Sequence, residues 1–158
     1  MTSSRLMPAF VLAATVMVPS MAQKTDTTDM EIFRQKIKAD KKLVVAQNLS
    51  LTEAEGAAFW PVYEAYQKDL QAIYQRLAET IVAYAHAYIE GPVANETAKN
   101  LLEESLEIDA AEAKLRTAIV PKVLAVLPAT KAARYIQIEN KIRAAVRYEL
   151  AARIPLVE

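Results

Sequence analysis

The chain has no cysteine. That excludes disulfides, thiolate metal sites, haem attachment through paired cysteines, a cysteine nucleophile and a lipid-modified N-terminal cysteine. Glycine occurs only twice, at Gly56 and Gly91, so there is no glycine-rich loop to cradle a phosphate. The few serines include none in a nucleophile-elbow pattern. Histidine occurs once, as His86. It lies two residues, about 200°, round a helix from Tyr84 and so points away from that helix's apolar face. Glu90 is one turn further on, but two ligands do not make a site, since structural zinc takes four. A lone outward histidine also argues against a haem-binding bundle, and the inward Glu-x-x-His pairs of di-iron bundles are missing. The formal net charge is zero, which gives no global pull towards nucleic acid. These absences lead us to expect no enzyme activity, no cofactor, no metal site and no nucleic-acid partner.

The N-terminus carries the clearest pattern. Arg5 supplies a positive charge, Leu6 to Val18 is an apolar run of 13 residues broken only by Pro8 and Thr15, and Ser20-Met21-Ala22 offers small residues for a peptidase. Residues 1–22 therefore read as a secretory signal peptide. An uncleaved anchor is the rival reading, but the run is short of the roughly 20 residues that a spanning helix needs. Residues 23–28 are polar and read as a flexible linker, and residues 29–158 as one helical domain. No later stretch is apolar enough to span a membrane, so we expect a periplasmic or secreted protein with no stable membrane insertion after cleavage.

Helix formers dominate the remainder, and no strand-like alternation persists. The spacing predicts a first helix from about Asp29 to Gln47 with Met30, Phe33, Ile37 and Val44 on one face. Asp40 lies on that stripe and reads as a carboxylate paired with a lysine at the core's edge. Asn48 to Leu51 is a turn. Thr52 and Glu55 form a capping box that opens a second helix, whose stripe is Phe59, Tyr63, Tyr66, Leu70, Ile73, Leu77, Ile81, Tyr84 and Tyr88. Pro61 predicts a kink or a restart near Trp60. Trp60 and Tyr74 share a line beside the stripe, where they either flank the core or form an exposed apolar edge. Glu90-Gly91-Pro92 ends this helix. Asn95 is expected to cap a third helix, reaching about Val126 and kinked at Pro121. Its core face is led by Leu101, Ile108, Leu115 and Ile119, with Leu102 and Leu106 beside them. The fourth helix carries Tyr135, Ile138, Ile142, Val146 and Leu150 and stops before Pro155. The apolar tail is expected to fold back on the bundle. The expected class is all-α: a four-helix antiparallel arrangement of two hairpins, its long helices kinked at prolines.

LTEAEGAAFW at 51–60 aligns with LPATKAARYI at 127–136, an offset of 76 that matches Phe59 to Tyr135. Charge is sorted by helix: residues 30–48 and 131–153 are net basic, whereas 53–90 and 96–122 are net acidic. This fits attraction between neighbouring helices, or else a basic face on the first and fourth helices that meets a partner. Candidate protein-binding residues under the second reading are Arg34, Lys38 and Lys42 along one side of the first helix. Arg143 and Arg147 stand a turn apart on the fourth, with Arg134 and Lys141 on another line, and Trp60 supplies the apolar edge.

With four helices, an export signal and two Leu-led turns, the chain resembles the Spy and CpxP group of periplasmic proteins, which repeat an LTxxQ motif at such turns. Here the motifs read LTEAE at 51–55 and LPATK at 127–131, without the final glutamine in either and without the threonine in the second. LTEAEGAAFWPVYEAYQKDL and YIQIENKIRAAVRYELAARIPLVE also look like segments of uncharacterised secreted bacterial proteins. The resemblance implies a cradle-shaped helical homodimer. It further implies ATP-independent holding of unfolded envelope proteins, or a part in sensing envelope stress. The alternative is a structural or regulatory envelope module with one defined protein partner. Export is directly testable: mass measurement on periplasmic or secreted material should give a mature chain beginning at Gln23, and a membrane-bound chain retaining Met1 would refute the signal reading.

Overall fold

The computed structural model describes residues 40–157. The expected signal peptide, the linker and the first part of the first helix, with Met30, Phe33, Arg34, Ile37 and Lys38, lie outside those residues. Among the described residues there are four helices and no strand: α1 over 40–49, α2 over Glu53–Glu90, α3 over Asn95–Leu124 and α4 over Ala129–Arg153. Ser50 ends α1 with a positive φ of 47°, the left-handed C-terminal conformation. At the start of α2, the Thr52 side chain accepts from the Glu55 amide at 3.2 Å, and Glu55 Oε2 accepts from the Thr52 amide at 2.8 Å. The predicted capping box is thus formed.

α2 is a single 38-residue helix with Pro61 inside it, not two pieces restarting near Trp60. Pro121 likewise lies inside α3, in its last turn. Each proline removes one backbone donor, and the helices continue through both positions. The cap of α3 is Ala94 rather than Asn95, and no side chain bonds to it. Asn95 is instead the first helical residue, because the extended backbone that defines a cap falls one position earlier, after Pro92.

Short turns make successive helices antiparallel. Arg76 reaches Glu104, and Tyr74 reaches Glu112, across α2 and α3. α2 and α4 run parallel: Glu55 meets Lys131, Gln67 meets Glu139, and the Tyr84 hydroxyl donates to the Pro155 carbonyl at 3.1 Å. The tail therefore touches α2, although Leu156 and Val157 remain exposed. The offset of 76 has a physical counterpart here. Phe59 and Tyr135, equivalent in the two repeats, pack edge to face at 5.0 Å, and Glu55 and Lys131, equivalent again, pair at 2.6 Å. These are the last positions of the two Leu-led motifs. The hydrogen bond from Lys131, then the Thr52 amide, lower the Glu55 pKa.

The core sits beside these turns. Val45, Leu49, Phe59, Tyr63, Tyr66, Leu70, Ile119, Val123, Leu127, Ala132 and Tyr135 form it. Trp60 packs edge to face on Phe59 and Tyr63, and Tyr74 is half-buried, so both flank the core. The buried face of α1 differs by one residue from expectation: Val45 is sealed, Val44 is 40% exposed, and Asp40 is exposed. The cause is Lys41, which turns inward and rotates the stripe. Towards the Gly91 turn the core thins. Ile73, Leu77, Ile81 and Tyr84 are only half-buried, Tyr88 is exposed, and Leu102 and Leu106, expected beside the core, are each 60% exposed. On α4 the third buried position belongs to Glu139, while Ile138, Ile142 and Leu150 are half-buried and Val146 is exposed. No described helix is long and apolar enough to cross a membrane.

The Tyr135 hydroxyl is enclosed and completes no well-formed hydrogen bond, since the Gln67 side chain beside it is engaged with Lys41 and Glu139. Burial, then the nearby Glu139 charge, push its pKa far above the ordinary tyrosine range. A sealed, unsatisfied hydroxyl costs about 1 to 3 kcal/mol. Tyr135→Phe should therefore hold or raise stability, by up to about 1 kcal/mol, in urea denaturation, and a clear loss would show that the hydroxyl is bonded in solution.

Candidate interaction surface

Two buried carboxylates organise the polar side of the bundle. Glu139 on α4 accepts from Lys41 Nζ at 2.7 Å and from Gln67 Nε2 at 3.0 Å, and Lys41 also donates to Gln67 Oε1 at 2.9 Å. This joins α1, α2 and α4. Glu112 on α3 is 2% exposed. It accepts from the Tyr74 hydroxyl at 3.1 Å and from Arg147 at 2.7 Å, and Arg147 also donates to Asp109 at 2.6 Å. Partial burial works against the Arg147 charge, but the Glu112 hydrogen bond and the Asp109 charge outweigh it and raise the pKa. Burial, with Glu112 beside it, pushes the Tyr74 hydroxyl well above its usual pKa.

The candidate binding residues fall into three groups. Arg34 and Lys38 lie outside the described residues. Lys42, Arg134 and Arg147 are engaged within the protein. Lys42 pairs with Glu64 at 2.6 Å and stands 5.1 Å over the Trp60 ring, and Arg134 reaches the Asn48 carbonyl at 3.4 Å. Lys141 and Arg143 make no hydrogen bond to any described residue; Arg143 Nε lies 4.0 Å from Glu112. The sorted charges thus serve largely as attraction between helices, with α1 and α4 supplying cations to carboxylates on α2 and α3. Trp60 is half-buried and covered on one face by Lys42, not an open apolar edge.

Exposed large apolar side chains lie elsewhere, some of them, Leu43 and Leu124, near the core. Val82 and Ile89 on α2, Leu102 and Leu106 on α3, and Val146 and Tyr148 on α4 project to solvent, Ile89 at 82%. Leu102, Leu106 and Asp109 fall on one line of α3, and Asp109 binds Arg147, so the leucine pair borders α4. The prediction missed this surface because stripe membership says which line a residue occupies and not whether a neighbouring helix covers it. It also missed Gln67, Glu112 and Glu139. Their signal was present: each fills a gap in an apolar stripe, between Tyr63 and Leu70, Ile108 and Leu115, or Tyr135 and Ile142.

His86 is exposed, and among the described residues no group of three or more His, Cys, Asp or Glu could hold a metal ion. The chain matches no protein-family model, no curated protein and no solved structure.

The buried pair makes a stability prediction. Arg147→Met should cost about 3 kcal/mol, near the low end for a broken buried pair, since Arg147 itself keeps 30% side-chain exposure. Adding Glu112→Gln, which removes the stranded charge, should recover most of that loss. Urea denaturation of the single and double variants at neutral pH measures both, and an additive double variant would show that the two residues are uncoupled.

Proposed function

We propose that this is an exported helical binding protein that holds partly unfolded or extended polypeptides without ATP. The observation that carries the reading is the apolar surface near the Gly91 turn. Beyond Leu70 no residue of α2 is fully buried, and large apolar side chains stand exposed on α2, α3 and α4. Exposed apolar patches mark interaction surfaces on soluble proteins. Here the side chains are spread over three helices, which suits clients of varied sequence better than one partner with a compact anchor. The signal-like N-terminus and the likeness in layout to the Spy and CpxP group support the same reading and a location in the periplasm or outside the cell. Lys141, exposed and free of hydrogen bonds to described residues, adds positive charge on α4. Long-range attraction of this kind speeds capture and weakens as salt rises.

The test is suppression of aggregation of a chemically unfolded client by the purified protein. Protection is expected without nucleotide. The combined Ile89→Ser, Leu102→Ser and Leu106→Ser variant should lose at least about half of it while keeping its helical circular dichroism, because each exposed Leu or Ile brings about 2 kcal/mol of apolar contact to a client. No protection by the wild type at several-fold excess would refute holding. Equal protection by the variant would refute the surface.

A further inference from the structure

Arg116, Arg143 and Arg147 meet Asp109 and Glu112 around a cavity of about 350 Å³. Arg147 is spent on both carboxylates. Arg116 uses one NH2 group on the Asn140 side-chain oxygen at 2.8 Å, and no other hydrogen bond ties it to a described residue. Arg143 donates no hydrogen bond to any described residue, although its Nε pairs with Glu112 at 4.0 Å. Two guanidinium groups therefore line the cavity with donors to spare, and a guanidinium presents its N–H groups as a planar fork that matches the two oxygens of a carboxylate. Three guanidiniums against two carboxylates leave one positive charge in the cavity. That charge suits a monoanion. A dianion would over-neutralise it and be repelled by Asp109 and by the buried Glu112.

We propose that this cavity receives the carboxylate of an acidic side chain carried by an extended polypeptide, held between Arg116 and Arg143. The source of the carboxylate rests on the polypeptide-binding reading above, and the site itself does not. Its position supports the link: Asp109 shares the α3 line of Leu102 and Leu106, so a chain lying on those leucines runs towards the cavity. Glu112 takes no part in binding. It fixes Arg147 and pairs more distantly with Arg143, whose Nε lies 4.0 Å away, so Arg143 keeps its hydrogen-bond donors for the ligand.

The experiment follows the arginine Nε–H resonances of the labelled protein by NMR while sodium acetate replaces sodium chloride at constant ionic strength. Saturable shifts are expected at Arg116 and Arg143 and not at Arg147. Arg143→Gln should weaken acetate binding at least about tenfold, as loss of a charge-assisted bidentate contact does, and Arg116→Gln should do the same. The second variant covers the case in which the first disturbs α4, and circular dichroism checks both. Shifts that never saturate, or that persist unchanged in both variants, would overturn the site. Sulfate, a dianion at neutral pH, binding more tightly than acetate at matched ionic strength would overturn the monoanion assignment. A short amidated peptide containing Glu should bind more tightly than its Gln counterpart; equal binding would overturn the acidic side chain as ligand even if acetate binds. Acetate binding is read without any client, so failure of the holding assay and failure of this site are separate results.

Discussion

Two carboxylates inside a helical bundle impose the main constraint on this structure. A buried charge is tolerated only when a partner and hydrogen bonds replace the water it has lost. Glu139 and Glu112 each meet that demand with a cation from another helix, Lys41 in one case and Arg147 in the other. Apolar side chains can slide past one another by a turn at modest cost, whereas a lysine reaching one particular carboxylate cannot. The pairs therefore set the register of α1 on α4 and of α4 on α3. They also explain why the apolar face of α1 is rotated by one residue, since Lys41 must point inward for Glu139 to be buried at all.

The same constraint accounts for the sorting of charge along the chain. Basic residues on α1 and α4 neutralise acidic ones on α2 and α3 through Lys42 and Glu64, Lys131 and Glu55, and Arg147 with Asp109. Exposed pairs of this kind contribute only tenths of a kcal/mol each, but they favour one arrangement of four similar helices over its alternatives. The two Leu-led turns show the device clearly. The last positions of the two motifs are Glu55 and Lys131, and they meet at 2.6 Å. Opposite charges at equivalent positions distinguish one hairpin from the other while joining the two.

The concentration of the fully buried core at one end of the bundle gives the functional reading its physical content. The aromatic cluster of Phe59, Trp60, Tyr63 and Tyr135 seals the end beside the two Leu-led turns. Towards the Gly91 turn the helices continue with apolar residues that no described helix covers. The fully buried core is thus concentrated at one end, and exposed apolar side chains occur at both, Leu43 and Leu124 near the core and Ile89, Leu102 and Leu106 towards the other. The arginine cavity lies between the two regions, built on the residues that neutralise Glu112.

Much of this was legible in the residues alone. Helix formers, two glycines, the capping box at Thr52 and Glu55 and the prolines define four helices and their turns through local physics, and local physics acts within a few residues. The aromatic stripe of α2 and the repeat at an offset of 76 identified Phe59 and Tyr135 as equivalent core positions. What periodicity could not supply was which face of α1 is buried, whether Leu102 and Leu106 are covered, and where Lys42 and Arg147 direct their charges. Each depends on a partner dozens of residues away. A lysine at core spacing reads as solvent-facing until a carboxylate on another helix is brought to it, and an apolar side chain reads as core until its neighbouring helix is found to leave it open. Local chemistry sets the helices and their order; packing between helices selects which charges are spent inside the bundle and which apolar side chains remain outside it, because both follow from distances between helices that no local pattern encodes.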